Sequence, residues 1–164
     1  MTLSKKRYTF ILRTLVFIHN KDKYLLIRKN RKGSFGYGKW NGVGGHIEKG
    51  EDPFSSAKRE IFEETNLTVN KLELTAIIFI DSGKNRGIEV FVFDAEYAGG
   101  EERKSLEGEL LWTKLEEINA SNQILDDVPM LIDICRQHQA GRQPKFIKYS
   151  LEENNELRIV NIQP

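Results

Sequence analysis

The sequence predicts an α+β fold in which one mixed β-sheet packs against a small number of helices. Strand-like segments rich in β-branched and aromatic residues occur in runs, and two amphipathic helical segments interrupt these runs. The length of 164 residues suits one domain, and we expect residues 1–164 to form it. No internal repeat, long linker or low-complexity tract argues for further division.

The chain is predicted to begin with a β-hairpin, whose strands are residues 8–18 and 24–28. A glycine-rich loop over residues 29–39 follows the hairpin. Three glycines within residues 40–47 then indicate short extended pieces with tight bends.

The first helix is predicted to start after Asp52, a good N-cap residue, with Pro53 at the first helical position. Its apolar stripe consists of Phe54, Ala57, Ile61 and Leu67. Asn66 falls where the chain leaves the helix, and Asn is the usual substitute for Gly in a left-handed C-terminal conformation.

The C-terminal half is predicted to add five strands and a second helix. The strands are residues 72–80, 88–97, 110–114, 146–151 and 157–162, of which the last two form a closing hairpin. The helix covers residues 127–138, and its apolar face includes Cys135. We therefore expect Cys135 to be a core residue and not a nucleophile.

Composition limits the classes of partner. The 25 Lys and Arg residues nearly balance the 24 Asp and Glu residues, so a net charge of +1 favours neither nucleic acid nor an anionic membrane as the main partner. The single cysteine excludes an internal disulfide. No apolar run approaches the roughly 20 residues of a membrane-spanning helix, and no signal peptide is apparent, so we expect a cytoplasmic protein.

An acidic cluster marks the end of the first helix. Glu60, Glu63 and Glu64 share one helix edge, where like charges repel by about 0.2–0.5 kcal/mol per pair and oppose the helix dipole. Because the apolar stripe lies elsewhere, we expect these acids to point out of the core. A divalent cation such as Mg²⁺, which prefers oxygen ligands, would remove both penalties. The alternative is a solvated acidic helix face.

The spacing around this cluster resembles the signature of a known family. Gly45 is followed after five residues by Glu51, and after seven more residues by Arg59 and the run "REIFEETNL". This pattern, over residues 45–67, resembles the Nudix box. The family usually has Gly where this chain has Asn66, and because Asn tolerates the left-handed conformation we expect the helix end to survive.

The resemblance implies the Nudix fold, an α/β/α sandwich with a central mixed sheet. It also implies hydrolysis of a nucleoside diphosphate linked to another group, with Mg²⁺ as cofactor and Mn²⁺ as a substitute. By position, the implied metal ligands are Glu60, Glu63, Glu64 and the carbonyl oxygen of Gly44. Glu60 is implied to be either a ligand or the base that acts on water, Arg59 to orient a carboxylate, and Glu51 to hold the loop against the helix.

Sequence on both sides of the box is similar to MutT-like purine nucleoside triphosphate hydrolases, particularly those of the 8-oxo-dGTP type. The residue matching Asn41 touches the purine edge in that group, and the pair matching Asp126 and Asp127 reads the base. Two simpler interpretations stay open. Asp126 and Asp127 could cap the second helix, and Asn41 could bond its own bend before Gly42.

Several further residues are candidates for the substrate site. The animal enzymes of the group place an aromatic residue before the acid pair, where this chain has Ile124 and Leu125, so Phe35, Tyr37 or an apolar wall would take over base stacking. Gly45 belongs to the implied substrate loop. Of the loop cations, Arg28 or Lys29 is the one most expected to meet the triphosphate.

Glu107 matches the position of an extra catalytic or metal-linked acid in the group, although it could equally be an exposed surface acid. The leading functional hypothesis is Mg²⁺-dependent hydrolysis of purine nucleoside triphosphates, oxidised ones included, to the monophosphate and pyrophosphate. A different Nudix substrate is the alternative, namely a dinucleoside polyphosphate, ADP-ribose or an RNA 5′ end. A nucleotide sensor without turnover ranks last, because all the box acids are present. The expected oligomeric state is a monomer or homodimer.

Overall fold

The fold is a mixed β-sheet with helices on both faces. The computed structural model describes residues 7–30, 32, 36–83, 85–103, 108–152 and 156–164. The strands in this part are β1 (Thr9–Asn20), β2 (Lys23–Lys29), β3 (Trp40–Asn41), β4 (Thr68–Asp81), β5 (Arg86–Gly99), β6 (Gly108–Lys114), β7 (Lys145–Leu151) and β8 (Leu157–Gln163). The helices are α1 (Pro53–Thr65), α2 (Leu115–Ala120) and α3 (Val128–Gln137).

The sheet runs in the order β3-β2-β1-β5-β4-β7-β8, and β6 pairs with β2. The pairings β1–β5 and β4–β7 are parallel, whereas the remaining strand pairs are antiparallel. The sequence-based strands and the two main helices are thereby confirmed, to within a few residues at each end. The short helix α2, which buries Ile118, was not predicted.

Two hydrophobic cores lie on opposite faces of this sheet. Phe17 and Val92 point toward α3, and their neighbours along the strands, Val16 and Phe93, point toward α1. This alternation follows from the two-residue repeat of a β-strand. Two helical layers therefore enclose the sheet, which confirms the expected α/β/α arrangement. The side chain of Cys135 is buried in the α3 core, as expected.

The ends of α1 are formed as the sequence predicts. The Asp52 carboxylate accepts hydrogen bonds from the backbone N–H groups of Phe54 and Ser55, at 2.8 and 2.9 Å. Asn66 ends the helix in the left-handed conformation, with φ of 62°. Phe54, expected in the apolar stripe, is 42% exposed and packs edge-on against the ring of Phe93.

None of the helices in the described part of the chain combines the length and apolar character that a membrane-spanning helix needs.

Candidate active site

Two glycines bring the backbone of the site against β1. The Gly45 carbonyl accepts a hydrogen bond from the Thr14 N–H at 2.9 Å, so this segment runs beside β1. A Cβ atom on Gly44, whose φ is 153°, would lie 2.2 Å from the Thr14 carbonyl oxygen. A Cβ on Gly45 would lie 2.3 Å from a carboxylate oxygen of Glu60. Only glycine at these two positions allows the backbone segment to approach β1 and the acidic helix α1 this closely.

The acids of α1 do not all point out of the core, so that expectation was wrong for two of them. Glu60 is 8% exposed and Glu64 is 2% exposed, whereas the Glu63 side chain is 57% exposed. The physical reason is helical spacing, because Ala57, Glu60, Ile61 and Glu64 follow the i, i+3, i+4, i+7 pattern of one buried face. The face that packs α1 on the sheet therefore carries two carboxylates to the glycine segment.

Arg59 ties the loop and the helix together. Its Nε and Nη2 atoms lie 2.7 and 2.9 Å from the two carboxylate oxygens of Glu51. Its Nη1 atom lies 2.9 Å from Glu60 and 3.0 Å from Glu63. The paired guanidinium lowers the pKa of Glu51 to about 2, and the acids in turn raise the pKa of Arg59. Glu51 also accepts a bond from the Glu48 N–H at 3.0 Å, so the arginine fork fixes the whole turn.

Glu64 is held by the backbone and by a lysine. One carboxylate oxygen accepts from the Gly44 N–H at 3.0 Å, and the other lies 2.7 Å from the Lys29 Nζ. The same Nζ donates to the Gly44 carbonyl oxygen at 2.5 Å. Burial raises the pKa of Glu64 to about 7, and Lys29 opposes the rise. Burial also raises the pKa of Glu60, against the opposing effect of Arg59.

These groups fit a hard divalent cation, although the acids are not gathered around one point. Among the described residues, no three His, Cys, Asp or Glu side chains form a ready metal cluster. The acids are instead divided between Arg59 and Lys29. The potential ligands are all oxygen atoms, and the Lys29 ammonium already bridges two of them, the Gly44 carbonyl and Glu64. Hard divalent cations take oxygen ligands of this kind.

Of the two strand-end cations, Lys29 lines the cavity and contacts Gly44 and Glu64, whereas Arg28 is not among the residues that line it; a substrate contact by either stays a prediction. The Arg28 side chain forms an ion pair with Glu109 and lies over the ring of Trp40, 4.9 Å from its centroid. Neighbouring residues of a strand point to opposite faces, so Arg28 and Lys29 cannot both reach the site.

One cavity borders the glycine segment of the site. Its lining includes Gly44, Gly45 and Lys29 together with Asn41, Asp127 and Tyr149. Aliphatic side chains of β1, β4 and β5 form much of its wall. Tyr149 is the one aromatic residue among the described residues that line it, so stacking by Tyr37 finds no support in this geometry. Phe35 and Glu107 lie outside the described residues.

The base-recognition candidates are placed differently from one another. Asp127 precedes α3 but its side chain makes no capping hydrogen bond, and it accepts instead from the Tyr149 hydroxyl at 3.3 Å. Burial raises the pKa of Asp127. The Asp126 side chain is 98% exposed and lies 3.6 Å from the Lys39 ammonium. The Asn41 side chain accepts from the Gly42 N–H at 2.7 Å, as the simpler interpretation expects, and still lines the cavity.

Sequence reasoning missed two residues of this cavity, Tyr149 and Arg13. Arg13 interrupts the apolar β1 segment and lies in the cavity wall, where burial lowers the pKa of its guanidinium and Glu60 opposes that change. A cation within an apolar strand was the available indication. No local pattern marked Tyr149, whose neighbour Asp127 lies 22 residues away.

Comparison with known proteins agrees with this geometry. The family model of the NUDIX domain matches residues 9–133. The "Oxidized purine nucleoside triphosphate hydrolase" of Mus musculus is 33% identical over 87% of this chain and 94% of its own length. The protein of the same description from Danio rerio is 36% identical over 74% of this chain and 77% of its own length.

A solved structure also supports this family relationship. A MutT protein from Bacillus halodurans superimposes with a TM-score of 0.73 and 27% identity, covering 94% of this chain and 97% of the other. Family match, curated relatives and fold agree with the acid-and-glycine arrangement described above. The chain therefore belongs to the Nudix family and is a MutT-like Nudix hydrolase.

Proposed function

We propose that this enzyme hydrolyses purine nucleoside triphosphates, oxidised ones included, to the monophosphate and pyrophosphate in a Mg²⁺-dependent reaction. The observation that carries the proposal is one cavity lined by Gly44, Gly45 and Lys29 together with Asn41, Asp127 and Tyr149, with the Glu64 carboxylate bonded to the Gly44 N–H beside it. A charged triphosphate suits the lysine and glycine lining once a metal is bound at the adjoining acids, and a flat base suits the aliphatic lining. The names of the mouse and zebrafish relatives support an oxidised purine.

The metal would be held by Glu60, Glu63, Glu64 and the Gly44 carbonyl. When bound there, Mg²⁺ supplies charge neutralisation at the pyrophosphate and lowers the pKa of a coordinated water. The remaining roles belong to side chains of the protein. Arg59 holds three of the box acids in place through its fork. Glu60, beside Gly45, either ligates the metal or takes the proton of the attacking water.

The base would lie between the aliphatic wall and the polar groups that line the cavity. Asp127 and Asn41 provide hydrogen-bonding groups there, and an amide or a carboxyl can read the edge of a purine. The Tyr149 hydroxyl holds the Asp127 carboxyl in one orientation. The exposed Asp126 contributes at most from the rim, because its side chain points to solvent.

Product analysis on purified protein tests the proposal. With Mg²⁺, the protein should release pyrophosphate from dGTP or 8-oxo-dGTP, measured beside ATP, ADP-ribose and a dinucleoside polyphosphate. Glu63→Gln should lower kcat by roughly 100-fold or more while keeping the far-ultraviolet circular dichroism spectrum, because Glu63 is largely exposed. Lys58→Met, an exposed change elsewhere on α1, is the matched control.

Three results would contradict the proposal. Turnover of ADP-ribose or a dinucleoside polyphosphate alone would assign the enzyme to another Nudix substrate. A nucleotide that raises the melting temperature with no product formed would indicate a sensor. Full activity in EDTA would remove the metal from the reaction.

A further inference from the structure

Lys29 occupies the position where two proposed metal ligands converge. Its ammonium lies 2.5 Å from the Gly44 carbonyl oxygen and 2.7 Å from a carboxylate oxygen of Glu64. The contact with Glu64 is a close ion pair, and Lys29 donates a hydrogen bond to the Gly44 carbonyl oxygen. The other oxygen of Glu64 is held by the Gly44 N–H, so lysine, glycine and glutamate form one closed set of contacts.

We propose that Lys29 is the resident counter-ion of the metal-free site, and that it must leave Gly44 and Glu64 when a divalent cation binds there. This inference rests on the metal site of the proposed function. Its physical basis is exclusion, because two cations cannot share the same two oxygen atoms a few ångströms apart in a partly buried site.

The buried carboxylate explains why a counter-ion is needed before metal arrives. Glu64 is 2% exposed, and a carboxylate out of water is costly unless it is paired. Lys29 provides that pairing without a rigid fork, since its charge sits at the end of a flexible four-carbon stem. Arg59, by contrast, makes six hydrogen bonds to the loop and α1, and these bonds fix its side chain in place.

The cavity offers Lys29 a place to go. Its side chain is 28% exposed and lines the cavity. A rotation about its side-chain bonds, with β2 unchanged, would move the ammonium away from Gly44 and into this space. The displaced charge then lies where the phosphates of the substrate are proposed to bind. Metal binding would thus release a phosphate contact that the metal-free enzyme keeps occupied.

The test compares Lys29→Met with Lys39→Met in the full-length protein. Lys39 lines the same cavity, but its ammonium faces the exposed Asp126 at 3.6 Å, so the control removes the same charge away from the acids. Mg²⁺ affinity is measured by calorimetry without nucleotide. The lysine ammonium groups of the unsubstituted protein are followed by nitrogen-15 NMR during a Mg²⁺ titration.

We expect Lys29→Met to bind Mg²⁺ about tenfold more tightly, as it would if Lys29 leaves the site open roughly a tenth of the time. Lys39→Met should stay within about twofold of the unsubstituted protein. The ordered Lys29 ammonium resonance should shift or disappear at saturating Mg²⁺, and this measurement decides the matter even if the variant does not fold.

An unmoved Lys29 resonance in a protein that does bind Mg²⁺ would overturn the displacement and leave the proposed function intact. Equal or weaker Mg²⁺ binding by folded Lys29→Met would do the same. No Mg²⁺ binding by the unsubstituted protein would overturn the displacement and the proposed metal site together.

Discussion

The substitution Glu64→Gln, studied without metal, tests the burial of the site directly. Burial raises the pKa of the Glu64 carboxyl from 4.5 to about 7, even with Lys29 opposing the rise. The carboxyl therefore holds its proton more tightly in the folded protein than in the unfolded chain. Linkage then requires folded-state stability to fall as the pH rises above 4.5, with the loss complete above about pH 7.

The pKa difference sets the size of this effect. A rise from 4.5 to about 7 corresponds to about 3 kcal/mol of stability lost at pH 8. Glutamine carries no charge and still offers an oxygen to the Gly44 N–H, but it loses the ion pair with Lys29. Because the pKa of about 7 already includes the effect of Lys29, we expect Glu64→Gln to be more stable than the unsubstituted protein by about 3 kcal/mol at pH 8 in EDTA, and nearly equal at pH 5. Mg²⁺ should reduce or reverse this difference in stability, because it stabilises only the protein that binds it.

Urea unfolding followed by circular dichroism at pH 5 and pH 8, with EDTA or Mg²⁺, provides the measurement. In EDTA, Glu63→Gln is the matched control, because its largely exposed side chain should change stability by no more than about 0.5 kcal/mol. A Glu64→Gln variant that is less stable than the unsubstituted protein at pH 8 in EDTA would refute the reasoning. Such a result would mean that the Lys29 and Gly44 contacts outweigh the cost of burying the charge.

Three further predictions follow from other contacts. Arg59→Lys keeps the charge but loses the fork, so urea unfolding should show a loss of about 2 kcal/mol, and kcat should fall more than KM rises; unchanged stability would contradict this. Tyr149→Phe removes the donor to Asp127 and should change kcat/KM selectivity between 8-oxo-dGTP and dGTP by roughly 2- to 10-fold, with stability controlling for folding. The bond to Asp94 raises the pKa of His19, so this pair stabilises the fold below pH 6.5 and its contribution is lost as the pH rises through the raised value. His19→Gln should accordingly cost up to about 1 kcal/mol at pH 5.5 and little at pH 8, by urea unfolding, and an equal cost at both would count against the pairing.

Local signals explain the part of the fold that the sequence predicted well. The N-cap at Asp52 and the left-handed Asn66 depend on residues within one turn of α1, so their structural outcome could be inferred directly. The order of strands and helices followed from hydrophobic periodicity in the same way. The helix α2 was missed because six residues offer too short a pattern.

The direction in which the acidic side chains of α1 point did not follow from such local signals. The same spacing that placed Glu60 and Glu64 on one helix edge also placed them beside Ala57 and Ile61, on the face that packs on the sheet. The assumption that carboxylates avoid a core face is sound for isolated acids. It failed here because the Gly44 N–H donates to Glu64, and because Gly45, which has no Cβ, leaves room for the carboxylate of Glu60.

The sequence by itself determined the family and the box residues, and it predicted an oxygen-rich metal site, because these depend on residue type and on spacing along one helix and its preceding loop. Only the tertiary structure decided that Lys29 and not Arg28 enters the site, and that Tyr149 holds Asp127. Strand alternation sends adjacent side chains to opposite faces, but which face meets the site depends on how the sheet packs. Lys29 and Gly44, or Asp127 and Tyr149, meet through pairings 15 and 22 residues apart, and no local pattern encodes such contacts.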